Sequence, residues 1–311
     1  MVLSVHHENE FIFYALLKYI WSKKFSVIGF VTLIIVLTTI WLVSLPNIYK
    51  STVLVTPTQE ATGSGLTSMG AQLGGLASLA GINISGGSND KVAIALQVLE
   101  SRKFILNFIE KYNIDIPLIA SNAWDQKNNK LEINPEIYNS NTKTWTRKDS
   151  SGNLAPPTSI ELYNKFLKLL TIDNAVSTGS VTVSVEHLSP HLALAWTEAL
   201  ITELNATMRD RDIKSTTLSI SYLENQIAKT QNADMQKIFY QLVQEQTKTL
   251  MIAEVTPEYV FEVIDPAFLP LEKSAPKRAL MLIAATFLAG LLALFFCILC
   301  FFVIPRKHSA H

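Results

Sequence analysis

The sequence has very little cysteine and no net charge, and both shortages exclude classes of function. Its 311 residues contain 26 basic and 26 acidic side chains, so no basic excess favours a nucleic-acid partner. The two cysteines, Cys297 and Cys300, both lie inside a long apolar run, where thiolates are disfavoured. No second cysteine pair exists to complete a zinc site. We therefore expect no redox pair and no metal at these cysteines.

Charged residues are missing from two long stretches. Residues 25–45 form a run of 21 without charge, and residues 279–304 form a run of 26. About 20 helical residues cross the roughly 30 Å of hydrocarbon in a bilayer, whereas buried core helices of this length almost always contain some charge. The first run is too long for a signal peptide and lacks a small-x-small cleavage site. The sequence therefore predicts transmembrane helices at 25–45 and 279–304.

The segments outside these runs set the expected topology. Three lysines precede the first run, long loops translocate largely regardless of charge, and the first span usually decides orientation. We expect cytoplasmic tails at 1–24 and 305–311, with a domain at 46–278 on the opposite side of the membrane. The aromatic, apolar part of residues 1–24 favours a short interfacial helix, with a flexible tail as the alternative.

Prolines dominate the approach to the second apolar run. Pro266, Pro270 and Pro276 each lack a backbone donor and fix φ, so neither a helix nor a central strand can continue through them. The residue before each proline is also restricted to extended geometry. Residues 265–276 are therefore predicted to form a stiff, extended strut that leads into the membrane.

Three segments of the intervening domain have the composition of strands. Residues 49–56 and 259–264 are rich in β-branched and aromatic side chains, and residues 179–186 place valines at alternate positions. Because helical patterns separate these strands along the chain, we expect one small mixed sheet near the membrane.

A long helix is predicted over residues 190–231. Ser189-Pro190 has the chemistry of a helix start, and no later glycine or proline interrupts this segment. Such a helix measures about 60 Å at 1.5 Å per residue. It is too long to bury against so small a sheet, so it must project and pack on a return helix at 234–254 and on copies of itself. The predicted class is α/β (α+β).

Two regions have weaker patterns. Residues 61–89 have no charge and contain eight of the twelve glycines, which predicts a mobile loop or a loop that orders against neighbouring subunits. Residues 114–157 are polar and rich in asparagine, which indicates a long surface loop or insertion.

We find no constellation of side chains suited to catalysis. His187 and His191 are four residues apart, but Pro190 begins a helix between them, and no Gly-x-Ser-x-Gly or His-Glu-x-x-His motif occurs. We expect no catalytic residue, no cofactor and no metal, and hence no enzyme. The alternating charges of Arg209, Asp210, Arg211 and Asp212 indicate a solvated face or a salt-bridged contact, with a subunit or glycan contact as the sharper hypothesis.

The order of five short motifs between the two apolar runs resembles one known family. These motifs are Tyr49-Lys50-Ser51, Leu99-Glu100-Ser101-Arg102-Lys103-Phe104, Ser189-Pro190, Gln244-Glu245-Gln246-Thr247 with the following Met251-Ile252-Ala253, and Val263-Ile264-Asp265-Pro266-Ala267. They are similar to those of the polysaccharide chain-length determinants, the Wzz-type polysaccharide co-polymerases of Gram-negative inner membranes.

The resemblance implies a function without catalysis. It implies a ring-shaped homo-oligomer, an octamer, with an α/β base on the membrane and long helices in its wall. It also implies that the assembly sets the modal length of a lipid-linked glycan, such as lipopolysaccharide O-antigen, made by a separate membrane-embedded polymerase. The expected partners are that polymerase, the glycan and inner-membrane lipid.

Five residues near the second span are candidates for coupling to the membrane or the polymerase: Asp265, Pro266, Pro270, Pro276 and Gly290. Gly290 has no glycine four residues away on either side, so close packing of the Gly-x-x-x-Gly kind is not supported.

Two alternatives belong to other classes. A periplasmic adaptor of an export or efflux assembly usually has one anchor and a lipoyl-like β domain, and the second apolar run argues against it. A membrane-anchored glycan-modifying enzyme would need a catalytic constellation.

Overall fold

The computed structural model describes residues 21–58, 61, 89–148, 152–175 and 179–303, and these form two compact units. One unit contains the described residues up to Asn47 together with those from Ser274 onward, and the other is Ile48–Lys273. Most of the predicted N-terminal tail and glycine-rich loop, and all of the predicted C-terminal tail, lie outside the described residues.

Two long apolar helices form the first unit. Helix α1 is Lys24–Ser44, and α8, the last helix that the structure describes, is Arg278–Val303. Both are long and apolar enough to span a membrane by length and composition. The Arg278 guanidinium donates from Nη2 to the Leu45 carbonyl at 2.7 Å, which places a positive charge at the C-terminal end of α1, where the helix dipole favours it.

Four strands form the sheet of the second unit. They are β1 (Tyr49–Pro57), β6 (Leu170–Ala175), β7 (Ser180–His187) and β8 (Phe261–Asp265), in the order β6-β7-β1-β8. Every neighbouring pair is antiparallel, so the predicted sheet is present but is antiparallel and not mixed. Strand β6, which had no sequence prediction, forms a hairpin with β7 and completes the sheet.

The long helix α6 (Pro190–Lys229) covers one face of this sheet with its first half. Val181, Val183 and Val185, the alternating valines of β7, are all at most 1% exposed. The Ser189 hydroxyl accepts the Leu192 N–H and so caps the helix, as its sequence predicted. The apolar residues at spacing four on α6 (Trp196, Leu200, Leu204 and Met208) are all buried.

The second half of α6 leaves the core and pairs with α7 (Ala233–Val255). The turn between them is held by Asn232, whose Oδ1 accepts the N–H groups of Asp234 and Met235. Gln236 Nε2 donates to the Thr230 carbonyl at 2.7 Å across the same turn. The two helices therefore form a helical hairpin, as their lengths predicted.

Three shorter helices complete the core of the second unit: α2 (Asn89–Glu100), α3 (Arg102–Lys111) and α5 (Ser159–Leu167). The rings of Phe108 and Phe166 pack edge to face, with their centroids 5.6 Å apart, and so join α3 to α5.

The polar region predicted as a loop at 114–157 contains regular structure. It includes α4 (Asp115–Ile119) and two antiparallel pairs of short strands: β2 (Ser121–Asp125) with β3 (Lys130–Ile133), and β4 (Tyr138–Asn139) with β5 (Thr144–Trp145). Asp125 and Asn139 accept backbone N–H groups in the turns of the two hairpins, and Asn134 does so between the hairpins. These local turns explain why a composition rich in asparagine does not leave the region irregular.

Candidate functional site

The first candidate residues lie where β8 ends. Asp265 pairs with Leu54 as the last residue of the strand, and Pro266 has no N–H with which to continue the ladder. A side chain extends the contact instead, because the Ser51 hydroxyl donates to the Phe268 carbonyl at 3.1 Å. Ser51 is fully buried. The chain after β8 is therefore fixed to β1.

Burial divides the predicted strut into two parts. Pro266 is exposed but Pro270 is buried, and Ala267 packs against the core. We call residues 266–270 the docked arm. Leu271, the next residue, is 88% exposed. Pro276 belongs to the other unit, so the structure does not place Pro266, Pro270 and Pro276 in one rigid segment.

The four charged residues of α6 have different environments. Asp212 forms an ion pair with Lys91 of α2, with Nζ and Oδ2 2.9 Å apart, and accepts the Tyr259 hydroxyl at 2.8 Å. Lys91 Nζ also donates to the Tyr259 hydroxyl oxygen at 2.9 Å. We call Lys91, Asp212 and Tyr259 the charged triad; it joins α2, α6 and the segment before β8.

The remaining three of these residues are nearer to solvent. Asp210 is 71% exposed in its side chain and lies 3.7 Å from Arg209 Nε, and Arg211 is exposed. Because Asp212 has intramolecular partners, a contact with another molecule on this part of α6 is best proposed for Arg209, Asp210 and Arg211.

The α6–α7 hairpin presents an apolar surface. Among the described residues of α6 after Thr216, and of α7 before Ala253, no side chain is buried. Leu218 and Tyr222 are 64% and 65% exposed. An open groove of about 500 Å³ runs between the helices, and no charged side chain lines it. The residues that line this groove, here called the hairpin surface, are Ser215, Leu218, Ser219, Tyr222, Leu223, Leu242 and Gln246.

Gly290, the candidate within α8, is not one of the buried residues of its helix. Among the side chains of α8 that the structure describes, the buried positions are Ala289, Ala293 and Cys297, at spacing four. A Cβ added to Gly290 would meet nothing within 4 Å. Small side chains at spacing four allow close approach of membrane helices. The contact between α1 and α8 therefore uses the alanine positions and not the glycine.

Asn205 is a structural residue that the sequence did not reveal. It is 3% exposed on the buried face of α6, and its Nδ2 donates to the Phe261 carbonyl at 2.8 Å. Its Oδ1 accepts the N–H groups of Val260 and Phe261, both at 3.0 Å. The residue stands among apolar positions at helical spacing, so its periodicity indicated only burial.

His187 joins β7 to two other parts of the unit. Its Nδ1 accepts the Ser189 N–H at 3.0 Å and its Nε2 lies 3.2 Å from the Pro117 carbonyl, so the ring is neutral with the proton on Nε2. Burial lowers the pKa of this imidazole below its usual value of 6.5. His191 is exposed, and the two histidines do not share an environment. No group of three potential metal ligands occurs within the described ranges.

Comparisons with known proteins give matches in structure alone. No model of a known protein family matches the sequence, and no curated protein matches it. One similar solved structure is described as a full-length bacterial polysaccharide co-polymerase, with 13% identity, 95% of this chain and 98% of that chain covered, and a TM-score of 0.36. Another is a fragment of WzzB, a polysaccharide co-polymerase from Salmonella Typhimurium, with 11% identity, 74% and 100% coverage, and a TM-score of 0.30. Both of these solved structures are described as polysaccharide co-polymerases.

Proposed function

We propose that this chain is a non-enzymatic regulator of the modal chain length of a lipid-linked surface polysaccharide. It acts with a separate inner-membrane polymerase on lipopolysaccharide O-antigen or a related glycan. The sequence supports this proposal because the order of motifs between the two apolar runs resembles that of the polysaccharide chain-length determinants. The observation that best supports it in the structure is the α6–α7 hairpin, which exposes Leu218 and Tyr222 and needs other molecules to cover it.

In this proposal α1 and α8 cross the Gram-negative inner membrane. The tails at 1–24 and 305–311 are cytoplasmic, and the domain at 46–278 is periplasmic. An exposed apolar surface on a helical hairpin is favourable only when it is buried by a partner. Copies of the chain supply that partner, and they assemble into a ring for which the resemblance implies an octamer.

The contacts within the second unit suggest how the helices influence the membrane end of the chain. Asn205 fixes α6 to the start of β8, and Ser51 fixes the docked arm that follows β8. A change in the packing of α6 between subunits is therefore transmitted through β8 towards α8. We propose that subunit packing sets how long the polymerase remains engaged with a growing glycan.

Deletion of the gene tests the proposal directly. The lipopolysaccharide of the deletion strain, separated on a ladder gel, should lose its preferred length, and the wild-type chain supplied in trans should restore it. An unchanged band distribution in the deletion strain would contradict chain-length control.

Copurification separates this function from that of an export adaptor, which also uses a helical hairpin. The detergent-extracted chain should copurify with a polysaccharide polymerase. Recovery of an outer-membrane channel in its place would favour the adaptor.

A further inference from the structure

We propose that Phe268 and Leu271 bind the surface of the bilayer that α8 spans, at the boundary between headgroups and acyl chains, and so hold the β-sheet close to the membrane. The inference rests on the membrane location in the proposed function. It does not depend on control of glycan length.

Both side chains are exposed, although the neighbouring residues Ala267 and Pro270 are packed against the core or buried. Phe268 is 60% exposed, and Leu271 at 88% has the largest exposed fraction among the large apolar side chains that the structure describes. Contact with water is unfavourable for such surface, and burial in an apolar environment removes that cost. The segment therefore needs a partner.

The backbone that holds the Phe268 ring is fixed to the sheet. Its carbonyl accepts the buried Ser51 hydroxyl, and Pro270 is buried two residues later. Proline also fixes φ at that position. Because the ring is exposed while its backbone is fixed, whatever binds the ring also positions β1 and β8.

Covalent connection places a bilayer within reach of these side chains. Leu271 precedes Arg278, the first residue of α8, by seven residues, and seven residues span at most about 25 Å when fully extended. Aromatic side chains are enriched at membrane–water interfaces. The same stretch of chain therefore combines apolar side chains with proximity to the point where α8 enters the membrane.

The charges of this stretch favour a lipid surface over a second copy of the chain. Lys273, Lys277 and Arg278 are basic, and Glu272 is the one acidic residue among residues 271–278. Basic side chains beside a span are attracted to anionic headgroups. Two copies meeting at this patch would bring their basic side chains together, and the resulting repulsion would oppose that contact.

Fluorescence quenching in vesicles tests the inference. The two native cysteines of the chain are replaced as Cys297→Ala and Cys300→Ala, and a single cysteine is introduced as Phe268→Cys or Leu271→Cys. This cysteine is labelled with bimane. The labelled protein is reconstituted into vesicles of phosphatidylethanolamine and phosphatidylglycerol. Lipid carrying a nitroxide near the headgroup end of its acyl chain should quench both labels strongly, and aqueous iodide should quench them weakly. Leu154→Cys is the matched control, because Leu154 is 65% exposed in the same unit, and its label should be quenched by iodide and not by the lipid.

Two results would overturn the inference. Iodide quenching at residue 271 equal to that at residue 154 would place Leu271 in water, and a label at 271 that neither quencher reaches would show that protein covers it. The labelled positions are exposed, and alanine keeps a small apolar side chain at residues 297 and 300, so the folded state should survive. An unchanged circular-dichroism spectrum checks this. A deletion strain with an unchanged glycan ladder would contradict the proposed function but would leave the quenching result standing.

Discussion

The side chain of Asn205 in α6 bonds to Phe261 in β8 as a neighbouring strand would. Its Nδ2 donates to the Phe261 carbonyl at 2.8 Å and its Oδ1 accepts the Phe261 N–H at 3.0 Å. The same Oδ1 accepts the Val260 N–H. All of these groups are buried, so the carboxamide satisfies backbone groups that water does not reach. The long helix and the edge strand of the sheet are thereby joined.

Replacement of Asn205 by alanine should destabilise the second unit by at least about 3 kcal/mol. The substitution leaves two N–H groups and a carbonyl buried without these partners, and each such group costs about 1–3 kcal/mol. Urea unfolding of the detergent-solubilised chain, followed by tryptophan fluorescence, measures the change. Asn225→Ala is the matched control, because Asn225 lies on the same helix and bonds the Ser221 carbonyl in an exposed position. An equal decrease in the free energy of unfolding for the two variants would contradict the special role of Asn205.

The stability of the second unit should fall as the pH falls below about 6.5. Burial lowers the folded pKa of the His187 imidazole, so below its ordinary pKa the unfolded chain binds the proton more readily than the folded chain does. Protonation of Nδ1 would also oppose the Ser189 N–H that it now accepts. Above that pH both states are neutral, and His187 makes no pH-dependent contribution.

Comparison of two asparagine variants isolates this effect from that of other groups. His187→Asn keeps an acceptor but does not titrate, so the melting temperature should vary less with pH between about 5 and 7 than it does in the wild type. His191→Asn, at an exposed position, should retain the wild-type pH dependence. Wild-type pH dependence in His187→Asn would contradict the assignment.

The parts of the fold that the sequence predicted well are those encoded by local periodicity. The alternating valines of β7 and the apolar residues of α6 at spacing four are buried as their spacing indicates. The direction of the strands could not be obtained in this way. The helical patterns between them suggested crossovers, whereas the hairpin of β6 with β7 and the pairing of β1 with both β7 and β8 make the sheet antiparallel.

The candidate site shows a similar division. The prolines correctly predicted where regular structure stops, because Pro266 cannot donate to a ladder. The partners Ser51 and Phe268 are 217 residues apart, and Asn205 and Phe261 are 56 apart. Contacts over such separations depend on how the elements pack, and a single sequence has no local pattern that records them.

The charged triad should show measurable coupling. Lys91 and Asp212 are 20% and 27% exposed in their side chains, so a double-mutant cycle with Lys91→Met and Asp212→Asn should give a coupling energy of about 1 kcal/mol in urea unfolding. The exposed pair Arg209 and Asp210, with Arg209→Met and Asp210→Asn, is the control and should couple by less than about 0.5 kcal/mol. No coupling between Lys91 and Asp212 would contradict a stabilising role for this ion pair.

A charge on the hairpin surface should disrupt self-association without unfolding the chain. Leu218 is 64% exposed in the single chain, so Leu218→Glu should change its stability by no more than about 0.5 kcal/mol, whereas a buried subunit contact would not tolerate the carboxylate. Mass photometry of the detergent-extracted protein should show smaller assemblies. Ile160→Glu, at a position 60% exposed on α5, should leave the assembly intact. Equal assembly sizes for both variants would exclude the hairpin surface from the interface.

Replacement of Pro270 and Pro276 by alanine should alter the glycan length while leaving the second unit folded. Pro270 is buried at the end of the docked arm and Pro276 lies two residues before α8, so both constrain the path from β8 to the membrane. Alanine frees φ, and the stability of the unit should change by no more than about 1 kcal/mol. Ladder gels measure the length, and urea unfolding measures the stability. Pro257→Ala is the control, because Pro257 is exposed between α7 and β8 and should give a wild-type ladder. A wild-type ladder from the double variant would make the proline segment a passive connection, and the coupling of the helices to the polymerase would then have to run through another contact.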